Sequence, residues 1–241
     1  MPEARSPSDR REHTGTCVAE ATKRAEAEAE TETPMSLHVC DHPLIQHHLH
    51  FIRDERTGHP EFRAHLNDLA VILAVEATRD LPLVAATVRT PLAVTNTRIV
   101  GGSDPVLVPI LRAGLALVEP FQRLLPNARV GHVGLYRDEK TFEPVPYYRK
   151  FPADMDKATV FVMDPMLATG GSAIHAVRLV KDAGARRIRF ICVVSAPDGV
   201  SRLQEEHPDV PIYAAALDER LNDKAYIVPG LGDAGDRIFG T

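Results

Sequence analysis

Several absences bound what this chain can be. No apolar run approaches the length a helix needs to cross a bilayer, so no membrane partner is expected. No basic excess exists either. The formal net charge is −5, without the global positive field that drives non-specific nucleic-acid binding, and any anion site must be local. Cysteine is scarce: Cys17, Cys40 and Cys192 are odd in number and far apart, and Cys192 lies in an apolar run that reads as a buried strand. A disulfide framework is not expected, and a reducing cytoplasm fits. The N-terminus shows no basic start followed by an apolar stretch, so a secretory signal is not expected.

What is present is ordinary globular material, 241 residues with 44% hydrophobic and 25% charged, enough for one α/β domain with an appendage. Residues 1–34 carry the run Ala25-Glu26-Ala27-Glu28-Ala29-Glu30-Thr31-Glu32 and almost no large apolar side chain. Such a composition cannot offset the entropy of ordering, so a disordered tail is expected there, followed by a folded domain over 35–241.

Within that domain Phe62, Leu66, Leu69, Leu73 and Ala77 recur at spacings of three and four, which predicts a helix over 60–80 ended by Leu81-Pro82. The stretch 105–111 is almost wholly apolar, as a strand covered on both faces of a parallel sheet must be. Similar runs fall at 129–136, 158–163, 188–195 and 210–217, with helical patterns at 172–183 and 199–206 between them. The alternation predicts an α/β fold, a doubly wound and mostly parallel sheet. Two segments break the rhythm. Residues 137–157, with Pro144, Pro146, Pro152, Tyr147 and Tyr148, read as an extended excursion or hairpin. The last twenty residues, with Gly230, Gly232, Gly235 and Gly240, read as an irregular loop. Long segments of this kind in a compact domain are disordered or functional.

The chemistry concentrates in 160–172. A buried strand runs into Asp164, then Pro165, Met166, Leu167 and Ala168 lead to Thr169-Gly170-Gly171-Ser172 and a helix. In open α/β sheets ligands bind at that edge. Thr169 to Ser172 offer unobstructed backbone N–H groups and two hydroxyls at a helix start whose dipole favours negative charge. Asp164 is placed to accept hydrogen bonds from sugar hydroxyls. Glycines alone fit a plain strand-to-helix turn with Thr169 or Ser172 as N-cap equally well. The segment lacks a Gly-Lys-Ser/Thr ending and is not a Gly-x-Gly-x-x-Gly fingerprint, and the acidic residue favours a sugar phosphate.

Residues 164–172 (DPMLATGGS) resemble the phosphoribosyl-diphosphate (PRPP) loop of the type I phosphoribosyltransferases, in a spelling similar to the uracil-specific branch. The resemblance continues through 109–114, Tyr136-Arg137, 143–148 and 230–236, and spans about 43–241. It implies a PRPP site made of Arg112, Arg137, Asp164 to Ser172 and Asp233, with Arg137 on a flap. It also implies a C-terminal base-binding loop in which Ile227, Gly232, Asp233 and Ala234 receive uracil through backbone groups. Catalysis is then expected from Asp164, Arg112 and Arg137, with Mg²⁺ carried by PRPP and water. The product is UMP, a step of pyrimidine salvage. The same resemblance implies a homodimer or homotetramer and a GTP effector.

Taken one at a time, Arg112 and Arg137 are as readily surface arginines, and only the neighbouring phosphate loop and the resemblance select the anion role. His47, His48 and His50 match no strong zinc spacing and read as a solvated helical face. Met166 and Phe239 read as packing. Rival readings are a transferase for a purine or for orotate, an RNA-binding regulator on the same fold, and a silent nucleotide sensor. No Ser–His or Cys–His nucleophile set is evident, and none is needed. Deletion of residues 1–34 should leave the melting temperature and the turnover rate unchanged, because that composition supplies no packed core; calorimetry and a turnover assay on the truncated protein check it.

Overall fold

The structure, a computed structural model, describes residues 37–137 and 144–241. The tail expected over 1–34 and the tip of the excursion, 138–143, lie outside the described residues.

The chain opens with strand β1 (Leu37–Val39) and helix α1 (Pro43–Arg53). Pro43 sits at the first helical turn, and the His42 ring accepts the Leu44 N–H at 3.2 Å, satisfying one orphan donor of α1. Helix α2 (His59–Ala77) matches the predicted one, and Phe62, Leu66, Leu69, Leu73 and Ala77 are all buried. The hairpin of β2 (Leu83–Arg89) and β3 (Val94–Val100) follows, antiparallel and mostly exposed. Then come β4 (Val106–Leu111), a 3₁₀ turn over Ala113–Leu117 and helix α3 (Val118–Leu124). Next are β5 (Arg129–Val130), β6 (His132–Arg137), β7 (Pro144–Lys150), β8 (Thr159–Met163) and β9 (Met166–Leu167). The chain continues through α4 (Gly171–Asp182), β10 (Arg187–Ser195), α5 (Pro197–Glu206) and β11 (Ile212–Leu217). It closes with the short pair β12 (Arg220–Leu221) and β13 (Ile227–Val228), and helix α6 (Ala234–Phe239).

The main sheet runs β1-β11-β10-β8-β4-β6-β7, with β5 beside β4 and β9 beside β10. Every pairing is parallel except the β6–β7 edge. Successive residues of a strand face opposite sides, and the core divides accordingly. Leu107, Phe161, Met163, Ile191 and Val193 face one side with α1, α2 and α6. Val106, Val108, Val160, Val162, Phe190 and Cys192 face the other with α4 and α5. The doubly wound sheet read from the sequence is thus present.

Two expectations change in detail, and a third, the hairpin, is met. The run 129–136 splits at Gly131, where a Cβ would lie 3.0 Å from the Phe151 ring, so β5 and β6 form separately along β4. The excursion after 136 is a hairpin in its described part, with a register shift near Gly134, where a Cβ would fall 2.5 Å from the Tyr147 ring. The last twenty residues are not wholly irregular: Asp233 caps α6 by accepting the Asp236 N–H at 3.0 Å. Leu69→Ala should cost about 2–5 kcal/mol, because Leu69 is fully buried between α2 and the sheet and its neighbours can only partly collapse. Urea denaturation checks it; a loss below about 1 kcal/mol would mean that the site repacks.

Candidate active site

The strand register decides what meets at the sheet edge. Pro109 pairs with Met163, the last residue of β8, and β4 continues through Ile110 to Leu111, so the two following turns emerge from neighbouring strands at the same edge of the sheet. The β4 turn carries Arg112, reached through a cis peptide after Leu111. Gly114 then packs so closely that a Cβ would lie 2.4 Å from the Met163 carbonyl oxygen. Arg112 is exposed, and its guanidinium lies over the Phe239 ring at 5.9 Å. Phe239 is 42% exposed, so it shelves an arginine rather than filling the core as its residue type suggested.

After β8 the chain is stitched to β10. The Asp164 N–H donates to Ile191 O at 3.0 Å, Pro165 O accepts from Val193 and Val194, and Ala196 N–H donates to Leu167 O at 2.9 Å. Asp164 Oδ1 accepts the Met166 N–H at 3.3 Å. Burial at the crowded strand ends pushes the Asp164 carboxyl up to about 7; the Met166 N–H opposes this and the Asp233 charge adds to it. The same surroundings hold the Cys192 thiol far above its ordinary value.

The turn into α4 is capped by Gly170, at φ +80°, and not by Thr169 or Ser172. A glycine cap has no side chain to occupy the first-turn N–H groups, and they remain available to an anion. Gly199 of α5 supports the turn from below, since a Cβ there would lie 2.4 Å from Ala168 O, and Arg202 Nη1 donates to Thr169 O at 2.7 Å. Neither contact was legible from the sequence, because nothing local in 197–202 says that it backs a loop thirty residues earlier.

A pocket of about 300 Å³ joins these turns to the C-terminal segment. Arg112, Met166, Ala168, Ile227, Gly232, Asp233 and Ala234 line it, all expected site residues, together with Ala113, Ala225, Tyr226 and Gly235, which were not expected. Met166 therefore faces the pocket and is not only packing. Asp164, Pro165 and Leu167 lie behind that lining, while Thr169, Gly170, Gly171 and Ser172 continue from Ala168 into α4. Arg137 is the last residue of β6, and its side chain is outside the described part. Gly232 has φ +79°, the left-handed region, but a Cβ there would make only ordinary contact with Arg237. Glycine is required by the chain path more than by protein clearance. His47 and His48 on α1 form a ring cluster with His65, His48 Nδ1 lying 2.9 Å from His65 Nδ1, and no metal-binding group of three side chains occurs among the described residues.

The raised Asp164 carboxyl carries a sign for stability. In the unfolded chain it ionises near 3.8, and in the fold near 7. Below both values the two states hold the proton alike; between them the folded state holds more, so stability falls as pH climbs from about 4 to about 7 and stays lower above. Asp164→Asn removes that dependence. The variant should melt with wild type near pH 4 and above it at pH 8, by thermal unfolding at both; parallel curves would show the carboxylate to be well accommodated.

A family model for uracil phosphoribosyltransferase matches residues 39–241. The uracil phosphoribosyltransferase of Bacillus cytotoxicus is 55% identical over 205 residues, covering 85% of this chain and 98% of its own. That of Lysinibacillus sphaericus is 53% identical with the same coverage. A solved structure of an Aquifex aeolicus protein superposes with a TM-score of 0.81 at 37% identity, over 86% of this chain and 99% of that one. The match runs through every segment that lines the pocket, and the chain belongs to the uracil phosphoribosyltransferase family.

Proposed function

We propose that the protein joins uracil to PRPP, giving UMP and diphosphate in pyrimidine salvage. The observation that carries this reading is the single pocket in which Arg112 and the Met166–Ala168 turn face the Ile227–Ala234 loop. A sugar phosphate held on one side and a base held on the other meet at ribose C1. The N1–C1 bond forms as the bond from C1 to diphosphate oxygen breaks, the proton on uracil N1 is lost to the departing diphosphate or to solvent, and positive charge builds on the sugar between them.

The backbone N–H groups of Thr169 to Ser172 hold the 5′-phosphate, and Asp164 accepts from the ribose hydroxyls. Arg112 and Arg137 neutralise the leaving diphosphate, Arg137 from the flap, where closure excludes water from a centre that would otherwise hydrolyse. Uracil alternates acceptors with one N–H, a pattern that backbone groups at 227–234 match without a dedicated side chain. No nucleophilic residue is required, since positioning and charge stabilisation suffice.

Magnesium fits as a passenger of PRPP. Among the described residues no three ligating side chains converge, while Asp233 offers a carboxylate at the pocket; this suits an ion that keeps its waters and substrate phosphates. Bound there, it supplies positive charge toward the departing diphosphate. Assembly as a dimer or tetramer belongs to the same reading and is supported by the β2–β3 hairpin, where Val84, Val88, Val94, Ile99 and Val100 stand exposed. GTP activation rests on the family alone. A cytoplasmic setting is consistent with the absence, among the described residues, of any helix long and apolar enough to cross a membrane.

Steady-state kinetics with uracil and PRPP test the reading. Gly232→Val should raise KM for uracil strongly, because valine resists the left-handed conformation and redirects the loop, while KM for PRPP stays within a few-fold. Cytosine should be rejected by a factor of order 10⁴, since its amino group leaves loop groups unsatisfied. Efficient cytosine turnover, or an unaltered uracil KM in the variant, would put the base elsewhere.

A further inference from the structure

We infer that Arg53 and Asp218 are positioning residues for the base: as a partly buried ion pair they set the backbone path of the loop that receives it. The inference rests on the assignment of uracil to that loop. Arg53 ends α1, and Asp218, just past β11, is 7% exposed. The guanidinium donates through Nη2 to Asp218 Oδ1 at 2.6 Å and through Nη1 to Oδ2 at 2.9 Å, a forked pair that fixes orientation as well as distance.

The pair then takes hold of one residue from both sides. Arg53 Nη1 also donates to Gly230 O at 2.8 Å, and Asp218 Oδ2 accepts the Gly230 N–H at 2.9 Å. Gly230 is buried, with φ +62°, and a Cβ there would lie 2.1 Å from Ile227 O. Arg237 repeats the device one residue on. Its Nη1 donates to Leu231 O at 2.9 Å, its Nη2 to Asp54 O at 2.7 Å, and its guanidinium lies 4.4 Å from the centre of the Phe62 ring. Two consecutive loop carbonyls are thereby tied to the C-terminal end of α1. The residues that follow, Gly232, Asp233 and Ala234, line the pocket, whereas Arg53 and Asp218 do not. In this reading their influence on the base passes through the loop, and Arg53 lines a second cavity behind it with Leu231 and Gly232.

Arg53→Lys keeps the charge and loses the planar fork, so it cannot serve both carboxylate oxygens and Gly230 O at once. Wild type is first assayed with uracil and PRPP; no turnover would overturn the base assignment itself, independently of the variant. Given turnover, Arg53→Lys should raise KM for uracil by about tenfold or more, because a displacement of about an ångström remote from the chemistry costs on the order of 10²-fold. KM for PRPP should change much less than KM for uracil, since of the groups assigned to PRPP only Asp233 lies on this loop, while Arg112 and Thr169 to Ser172 do not touch the pair. A lower melting temperature with both constants unchanged, or an equal rise in both, overturns the inference. In the unaltered protein the Gly230 amide should exchange with deuterium far more slowly than that of exposed Gly232; equal rates overturn it even if the variant does not fold.

Discussion

The pairing of Pro109 with Met163 is the constraint on which the site depends. Both strands are buried on two faces, so neither can slide by one residue without turning its apolar side chains to the wrong layer. That register makes the turns after β4 and β8 leave the sheet together, and the missing side chain at Gly114 lets the Arg112 turn rest on the Met163 carbonyl. A cation and a carboxylate are thus brought to one edge by core packing, before any ligand is considered.

Everything that approaches this edge is fixed by backbone bonds. The turn of 164–168 is laced to β10 and its neighbour Ala196, and α5 supports it through Gly199. The C-terminal loop is held by arginines reaching from α1 and α6. This division is physically sensible for a reaction that needs no side-chain nucleophile. Where catalysis depends on placing two ligands face to face, rigidity of the cradle matters more than the identity of its lining.

Much of this was readable in the chain. The buried faces of β4 and β8 showed as continuous apolar runs, α2 as spacings of three and four, and the phosphate turn as small residues after an acidic strand end. The pocket-lining positions of Ile227, Gly232, Asp233 and Ala234 came from resemblance, since nothing in the side chains of that loop marks it as part of a site. Helix α1 was read only from its polar side, as the solvated helical face of His47, His48 and His50, without its buried side of Ile45, Leu49 and Ile52; the β2–β3 hairpin was missed because exposed strands lack the alternation that burial imposes. Gly199, Arg202, Arg53 and Asp218 stayed hidden for a common reason: their partners are remote in sequence, and nothing local records such contacts.

The two acidic residues of the site show how the fold divides its electrostatic roles. Asp233 caps α6 in the open, accepting the Asp236 N–H. Asp164 sits where burial and the neighbouring Asp233 both oppose ionisation, and its one backbone bond does not compensate. The fold by itself therefore disfavours a charged carboxylate in that position. In the reaction proposed above, ribose hydroxyls that donate to Asp164 and a sugar that gains positive charge would favour its ionised form, so this contact would strengthen as charge develops at C1. Binding that grows along the reaction coordinate is what accelerates a chemical step, whereas the fixed bonds of the cradle serve only to hold the partners in line.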